Sequence, residues 1–97
     1  MDFIDVLGAS GTAYRFRRWP GVGRHPPIAG NFVLVAEKGG AILALGPAED
    51  LSRAPELLAD RLKGAALFTR LNIARRVREA EHADMAARHP DAELQAA

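Results

Sequence analysis

The stretch Gly30-Asn31-Phe32-Val33-Leu34-Val35-Ala36-Glu37-Lys38-Gly39-Gly40-Ala41-Ile42-Leu43-Ala44-Leu45-Gly46 decides the fold. Its two apolar runs are short, rich in branched side chains and bounded by glycine, which reads as strands at about 31–37 and 41–46. Between them Gly39 and Gly40 supply the positive φ that a tight hairpin turn requires. Neither run alternates cleanly between polar and apolar residues, so the sheet they enter is expected to be covered on both faces.

Working toward the N-terminus, Pro20, Gly21, Gly23, Pro26 and Pro27 mark a loop. Before it, residues 12–19 alternate, with Tyr14, Phe16 and Arg18 on one side and Ala13, Arg15, Arg17 and Trp19 on the other, as a half-buried strand does. Residues 1–11 read as a loosely ordered lead ending in Gly8-Ala9-Ser10-Gly11, which lacks the Lys-Ser/Thr end of a phosphate loop. Toward the C-terminus, Gly46-Pro47 ends the hairpin and a helix is expected over about 48–63, broken near Pro55 and stopped by Gly64. Residues 66–71 alternate in part, and a strand is favoured there over a helical extension. Asn72 is placed to cap a helix over about 73–89, ended by Pro90, with 91–97 a flexible tail. Projected at 100° per residue, Ile73, Val77, Ala80, Glu81, Asp84 and Arg88 share the expected inner side of that helix; Arg75, Arg78, Glu79 and His82 share the other. The expectation is α+β, with a small, mainly antiparallel sheet of three to four strands.

A chain of 97 residues suits one domain with one modest core. The absence of cysteine excludes disulfides, thiolate zinc sites and a cysteine nucleophile. The start carries no basic, apolar leader, and no apolar run is long enough to span a bilayer, so a cytoplasmic protein without a membrane partner is expected. A net charge of +1 argues against strong non-specific binding to nucleic acid. The distribution is less even. Arg15, Arg17, Arg18, Arg24 and His25 form one cluster, and Arg70, Arg75, Arg76 and Arg78 a second. Two readings stand: arginine fills ordinary surface positions in a chain whose lysines are Lys38 and Lys63, or Arg15, Arg17, Arg18, Arg70, Arg75 and Arg76 contribute to an anion-binding face for nucleic acid.

Gly30-Asn31-Phe32, Ala44-Leu45-Gly46 and the segment Glu81-His82-Ala83-Asp84-Met85-Ala86-Ala87-Arg88-His89-Pro90 together resemble the GIY-YIG nuclease family over roughly residues 30–90. In that family Gly-Ile-Tyr opens one strand and Tyr-Ile-Gly ends its hairpin partner; the interval between Phe32 and Ala44 matches that spacing. Gly46-Pro47-Ala48-Glu49-Asp50-Leu51-Ser52-Arg53 resembles the polar turn into the family's first helix, and Glu81 stands where its metal-binding glutamate lies. The resemblance implies phosphodiester cleavage in which a divalent metal such as magnesium stabilises developing charge, arginine neutralises phosphate and tyrosine hydroxyls position water.

Most of that chemistry is replaced. Phe32 lacks the first tyrosine hydroxyl and Ala44 lacks the second. The family's arginine position falls at Ala54, and Arg53 lies one residue early, about 100° around a helix. The vestigial catalytic candidates are therefore Phe32, Ala44, Arg53 and Glu81, with Glu81 as a weak metal ligand or, alternatively, the partner of a nearby arginine. His25, His82 and His89 lack zinc-site spacing and read as surface residues, and Ser10 and Ser52 carry no nucleophile motif. Trp19 reads as a sheet-packing residue, with base stacking the alternative. The leading expectation is a catalytically inactive GIY-YIG-like domain without a cofactor that binds nucleic acid or a protein partner. One alternative is a residual metal-dependent nuclease using Glu81, Arg53 or Arg70, and Tyr14. The other is a structural or homodimeric module joined through an exposed strand or the Tyr14-Phe16-Trp19 segment.

Overall fold

The computed structural model describes residues 2–19 and 25–94. The loop signals at Pro20, Gly21 and Gly23, the cation Arg24 and the last three residues lie outside the described residues. The fold is α+β. Six strands, β1 (Phe3–Leu7), β2 (Ala13–Arg18), β3 (Gly30–Ala36), β4 (Ile42–Ala48), β5 (Ala65–Leu71) and β6 (Glu93–Leu94), form one sheet in the order β1-β2-β5-β3-β4-β6. Every pair is antiparallel except β4 with β6. Helix α1 (Ala54–Leu57) lies between two 3-10 turns, Leu51–Arg53 and Ala59–Arg61, and helix α2 (Arg75–Arg88) follows β5.

The hairpin read from the sequence is β3–β4, with Gly39 and Gly40 at φ of 84° and 70°. Its second strand runs past Gly46: Asn31 pairs Pro47 and Gly30 pairs Ala48. Pro47 is tolerated because β6 pairs β4 only at Ala44 and Leu45, so the imide nitrogen faces an edge where no ladder bond is needed. The segment 66–71 is a strand as favoured, running from Ala65 to Leu71 along the whole length of β3. The 48–63 helix is reduced to the short pieces between Leu51 and Arg61, with Pro55 in the first turn of α1.

Four expectations are corrected. The lead 1–11 contains β1, whose Phe3, Ile4, Asp5, Val6 and Leu7 pair with Arg17, Phe16, Arg15, Tyr14 and Ala13 and so satisfy their backbone groups against β2. The sheet therefore exceeds three to four strands. The tail 91–97 contributes β6, held to the 3-10 turn by the Arg61–Glu93 ion pair and anchored by buried Ala92. Asn72 is not the cap of α2: the N-cap position is Ala74, without a side-chain bond, and the Asn72 amide is used elsewhere.

Period-2 alternation sorts the central strands onto two faces. Phe32, Leu34, Ala44 and Leu67 point toward Leu51, Ala54 and Leu58 of the short helical segment. Val33, Leu45 and Phe68 join Val6, Tyr14 and Phe16 beneath Met85 of α2. Each large side chain removed from water contributes about 1.5–3 kcal/mol. Both faces are covered as expected, but the hairpin end is left partly bare: Val35, Ile42 and Ala66 are only half-buried.

Met85 is the one fully buried large apolar side chain of α2, so the helix depends on it for packing. Met85→Ala is expected to lower unfolding free energy by about 3 kcal/mol, whereas Leu57→Ala, at a half-exposed position, should stay within about 0.5 kcal/mol. Urea denaturation of both variants checks the contrast.

Candidate functional site

The underside of α2 is polar: Glu81 and Asp84 face the sheet as expected, but the apolar residues placed beside them do not. Ile73 and Val77, expected inside, are 76% and 45% exposed, while Arg78, expected outside, is 7% exposed. The side facing the sheet carries Arg78, Glu81, Asp84 and Met85. A stretch with so few large aliphatic residues has no apolar stripe to reveal its inner face.

A connected polar seam runs between this helix and the sheet. The Asn31 amide nitrogen donates to the Arg78 carbonyl at 2.9 Å, and the Arg78 guanidinium donates to the Ile73 carbonyl at 2.7 Å. Asn72 Nδ2 donates both to Asn31 Oδ1 at 3.1 Å and to Glu81 Oε1 at 2.9 Å. Arg70 Nε donates to the same Glu81 oxygen at 2.9 Å. The Arg70 guanidinium also lies 5.5 Å from the Tyr14 ring centroid. Tyr14 donates its hydroxyl proton to Asp84 Oδ2 at 2.7 Å. Asp84 further accepts from Ser10 Oγ at 2.6 Å and Ser10 N at 2.9 Å, and its carbonyl accepts from Ala9 N at 2.9 Å. Gly8 is required there, since a Cβ would stand 2.0 Å from Asp84 Oδ2.

These contacts set the protonation states. The Ser10 hydroxyl, then the Tyr14 hydroxyl and the Ser10 amide, hold the Asp84 carboxyl below its ordinary range. The bond to Asp84, reinforced by burial, pushes the Tyr14 hydroxyl up, so it remains a donor rather than a base. His82, read as a surface residue, is half-buried; its Nδ1 has no hydrogen-bond partner among the described residues, and desolvation pulls its pKa down.

The sequence-derived catalytic candidates do not meet. Phe32 and Ala44 are 1% exposed within the core cluster that includes Leu51 and Ala54. Arg53, at the edge of that same side, is exposed and pairs with Glu56 at 3.7 Å. Glu81 lies across the sheet from them, in its ion pair with Arg70. Tyr14, Arg70 and Glu81, named together from the sequence, are brought together. Among the described residues no group of three or more His, Asp or Glu side chains is arranged to hold a metal ion.

A second feature lies on the other face, beside the part that α1 covers. A groove of about 360 Å³ crosses β1, β2 and β5, lined by Phe3, Arg15, Arg17, Arg18, His25, Pro26, Thr69, Arg70 and Leu71. Arg15 Nε pairs with Asp5 at 3.0 Å and its guanidinium lies 5.9 Å from the Phe3 ring centroid. Arg17 has no carboxylate partner among the described residues. Phe3 and Leu71 are 49% and 56% exposed. His25 is a buried wall rather than a surface residue: it stacks on Trp19 at 4.8 Å, and its Nε2 lies 2.9 Å from Thr69 Oγ1. Trp19 also packs against the core, in keeping with its packing role. Of the second cluster only Arg70 reaches the groove; Arg75 pairs with Glu79 at 3.1 Å, and Arg76 does not line it.

Comparison with protein-family models, with curated protein sequences and with solved structures returned no match.

The two lowered pKa values give a two-stage acid response. Each group contributes stability that is complete above its unfolded-state value and lost as pH falls through its depressed folded value. For His82 the loss begins below about pH 6.5, and for Asp84 below about pH 3.9. Urea midpoints measured from pH 8 to pH 3 should fall in both windows, with His82→Gln removing the upper step and Asp84→Asn the lower.

Proposed function

We propose that this chain is a GIY-YIG-like domain without nuclease activity whose N-terminal sheet face binds nucleic acid. The observation that carries the binding half is the groove in which Arg15 and Arg17, two residues apart on one face of β2, stand beside the half-exposed Phe3 ring. Cations at that spacing sit about 6.7 Å apart along a strand and meet successive phosphates, while an exposed ring offers a stacking surface for a base. Supporting the kinship are the β3–β4 hairpin, β5 laid antiparallel along the first strand of that hairpin, and a following helix whose Glu81 reaches β5 through Arg70. Supporting inactivity are Phe32 and Ala44, which carry no hydroxyl and are sealed in the core.

A second reading, a residual metal-dependent nuclease, draws on the meeting of Tyr14, Arg70 and Glu81. It has the weaker support because each of these groups already has a partner: Glu81 is neutralised by Arg70, and the Tyr14 hydroxyl is committed to Asp84.

With so few uncommitted cations, binding should be weak and easily screened. Titration of labelled single- and double-stranded DNA and RNA between 20 and 200 mM salt is expected to give a log–log slope of about −2, corresponding to two or three phosphates. An Arg15→Ala/Arg17→Ala double variant should weaken binding about tenfold or more and flatten the slope by about 1.5. Absence of binding at the lowest salt overturns the proposal. Magnesium-dependent cleavage that Glu81→Ala abolishes would favour the second reading.

A further inference from the structure

A cavity of about 590 Å³ lies on the α2 face at the bare end of the sheet and shares with the arginine groove the single lining residue Arg18. Its floor is made by Ile4, Val35, Ile42 and Ala66, partly buried side chains packed against the core beneath α2, together with Phe68. Aliphatic residues on three neighbouring strands and on β1 converge here, and nothing among the described residues covers them. The volume falls within the range of small-molecule sites, which are mostly apolar with a few placed polar groups.

The polar group at this site is Arg18. Its guanidinium lies 5.9 Å from the Phe68 ring centroid and has no carboxylate partner among the described residues. The other charged groups lining the cavity are Asp5 and Glu37. Asp5 is held by Arg15, which leaves Glu37 as a negative charge that disfavours a second anionic group on any occupant. An apolar floor, one free guanidinium and one carboxylate at the rim together select a ligand with an extended apolar body and a single carboxylate.

We propose that this cavity binds monocarboxylates with an apolar body, of which medium-chain fatty acids are the simplest: the chain lies along Ile4, Val35, Ile42 and Ala66 while Arg18 receives the carboxylate. The site meets the arginine groove at Arg18, but its apolar floor is distinct, since Ala66, Val35 and Ile42 do not line that groove.

Isothermal calorimetry of the full chain with butanoate, hexanoate and octanoate, each below its aggregation concentration, tests it. Affinity is expected to rise about fourfold for each added CH₂ that is buried. Octanamide, isosteric but uncharged, should bind at least tenfold more weakly than octanoate, and Arg18→Gln should erase that difference. Ala66→Leu, which fills the floor without touching the charge, should weaken octanoate at least tenfold while an unchanged circular dichroism spectrum reports intact folding. No binding heat with millimolar octanoate, affinity independent of chain length, or an Arg18→Gln protein that still prefers the acid over the amide each overturns the proposal.

Discussion

The pairing of β5 on both of its edges is the constraint on which the rest of the molecule depends. On one side Ala65–Leu71 runs the full length of β3; on the other it meets β2 only at Thr69 with Arg17 and Phe68 with Arg18. That second seam is short, and among the described residues it is the only ladder joining the β1–β2 hairpin to the remaining strands. Further bonds reinforce it. Trp19 N donates to the Leu67 carbonyl at 2.8 Å, and the Arg70 guanidinium donates to the Arg15 carbonyl at 3.3 Å. Arg70 is thus shared among three elements: its backbone belongs to β5, and its side chain contacts β2 and the Glu81 carboxylate of α2.

This sharing explains why α2 lies on the sheet with a polar underside. An apolar stripe would give more burial, but it would fix neither the helix's register along its axis nor its approach to the hairpin tip. Directional contacts through Asn31, Asn72, Arg70, Tyr14 and Ser10 do both. Asn31, Asn72, Arg70 and Tyr14 are buried or half-buried, and because they find partners the cost of desolvating them is offset; removal of one partner would leave another in a low-dielectric surrounding without compensation.

The central hairpin was legible because glycine and apolar runs act locally: Lys38-Gly39-Gly40 turns the chain whatever surrounds it. For residues 65–71, which the sequence left between strand and helix, the favoured strand is the one formed, whereas Pro55 lies in the first turn of α1 rather than at a break. The lead was not. Phe3-Ile4-Asp5-Val6-Leu7 is a strand because β2 lies beside it, a property of the pair rather than of either segment. The inner face of α2 was only partly legible: Glu81 and Asp84 face the sheet as expected, but Val77 and Ile73 are apolar yet exposed, while Arg78 is buried through hydrogen bonds that no periodicity encodes. Of the candidate site, the cluster Arg15, Arg17 and Arg18 was visible as composition, but His25 as a buried wall required knowing that Trp19 and Thr69 flank it. Glu81 was singled out correctly as a residue near the sheet, and the family's other positions were not gathered around it.

The bond between Ser10 and Asp84 joins positions 74 apart in the chain. Closing so large a loop is entropically slow, and it cannot occur until the C-terminal helix exists. On a ribosome the first hairpin emerges long before its clamp, with Tyr14 and Phe16 awaiting the helix that will shelter them. Strands β1 and β2 are therefore secured by a segment made long after them.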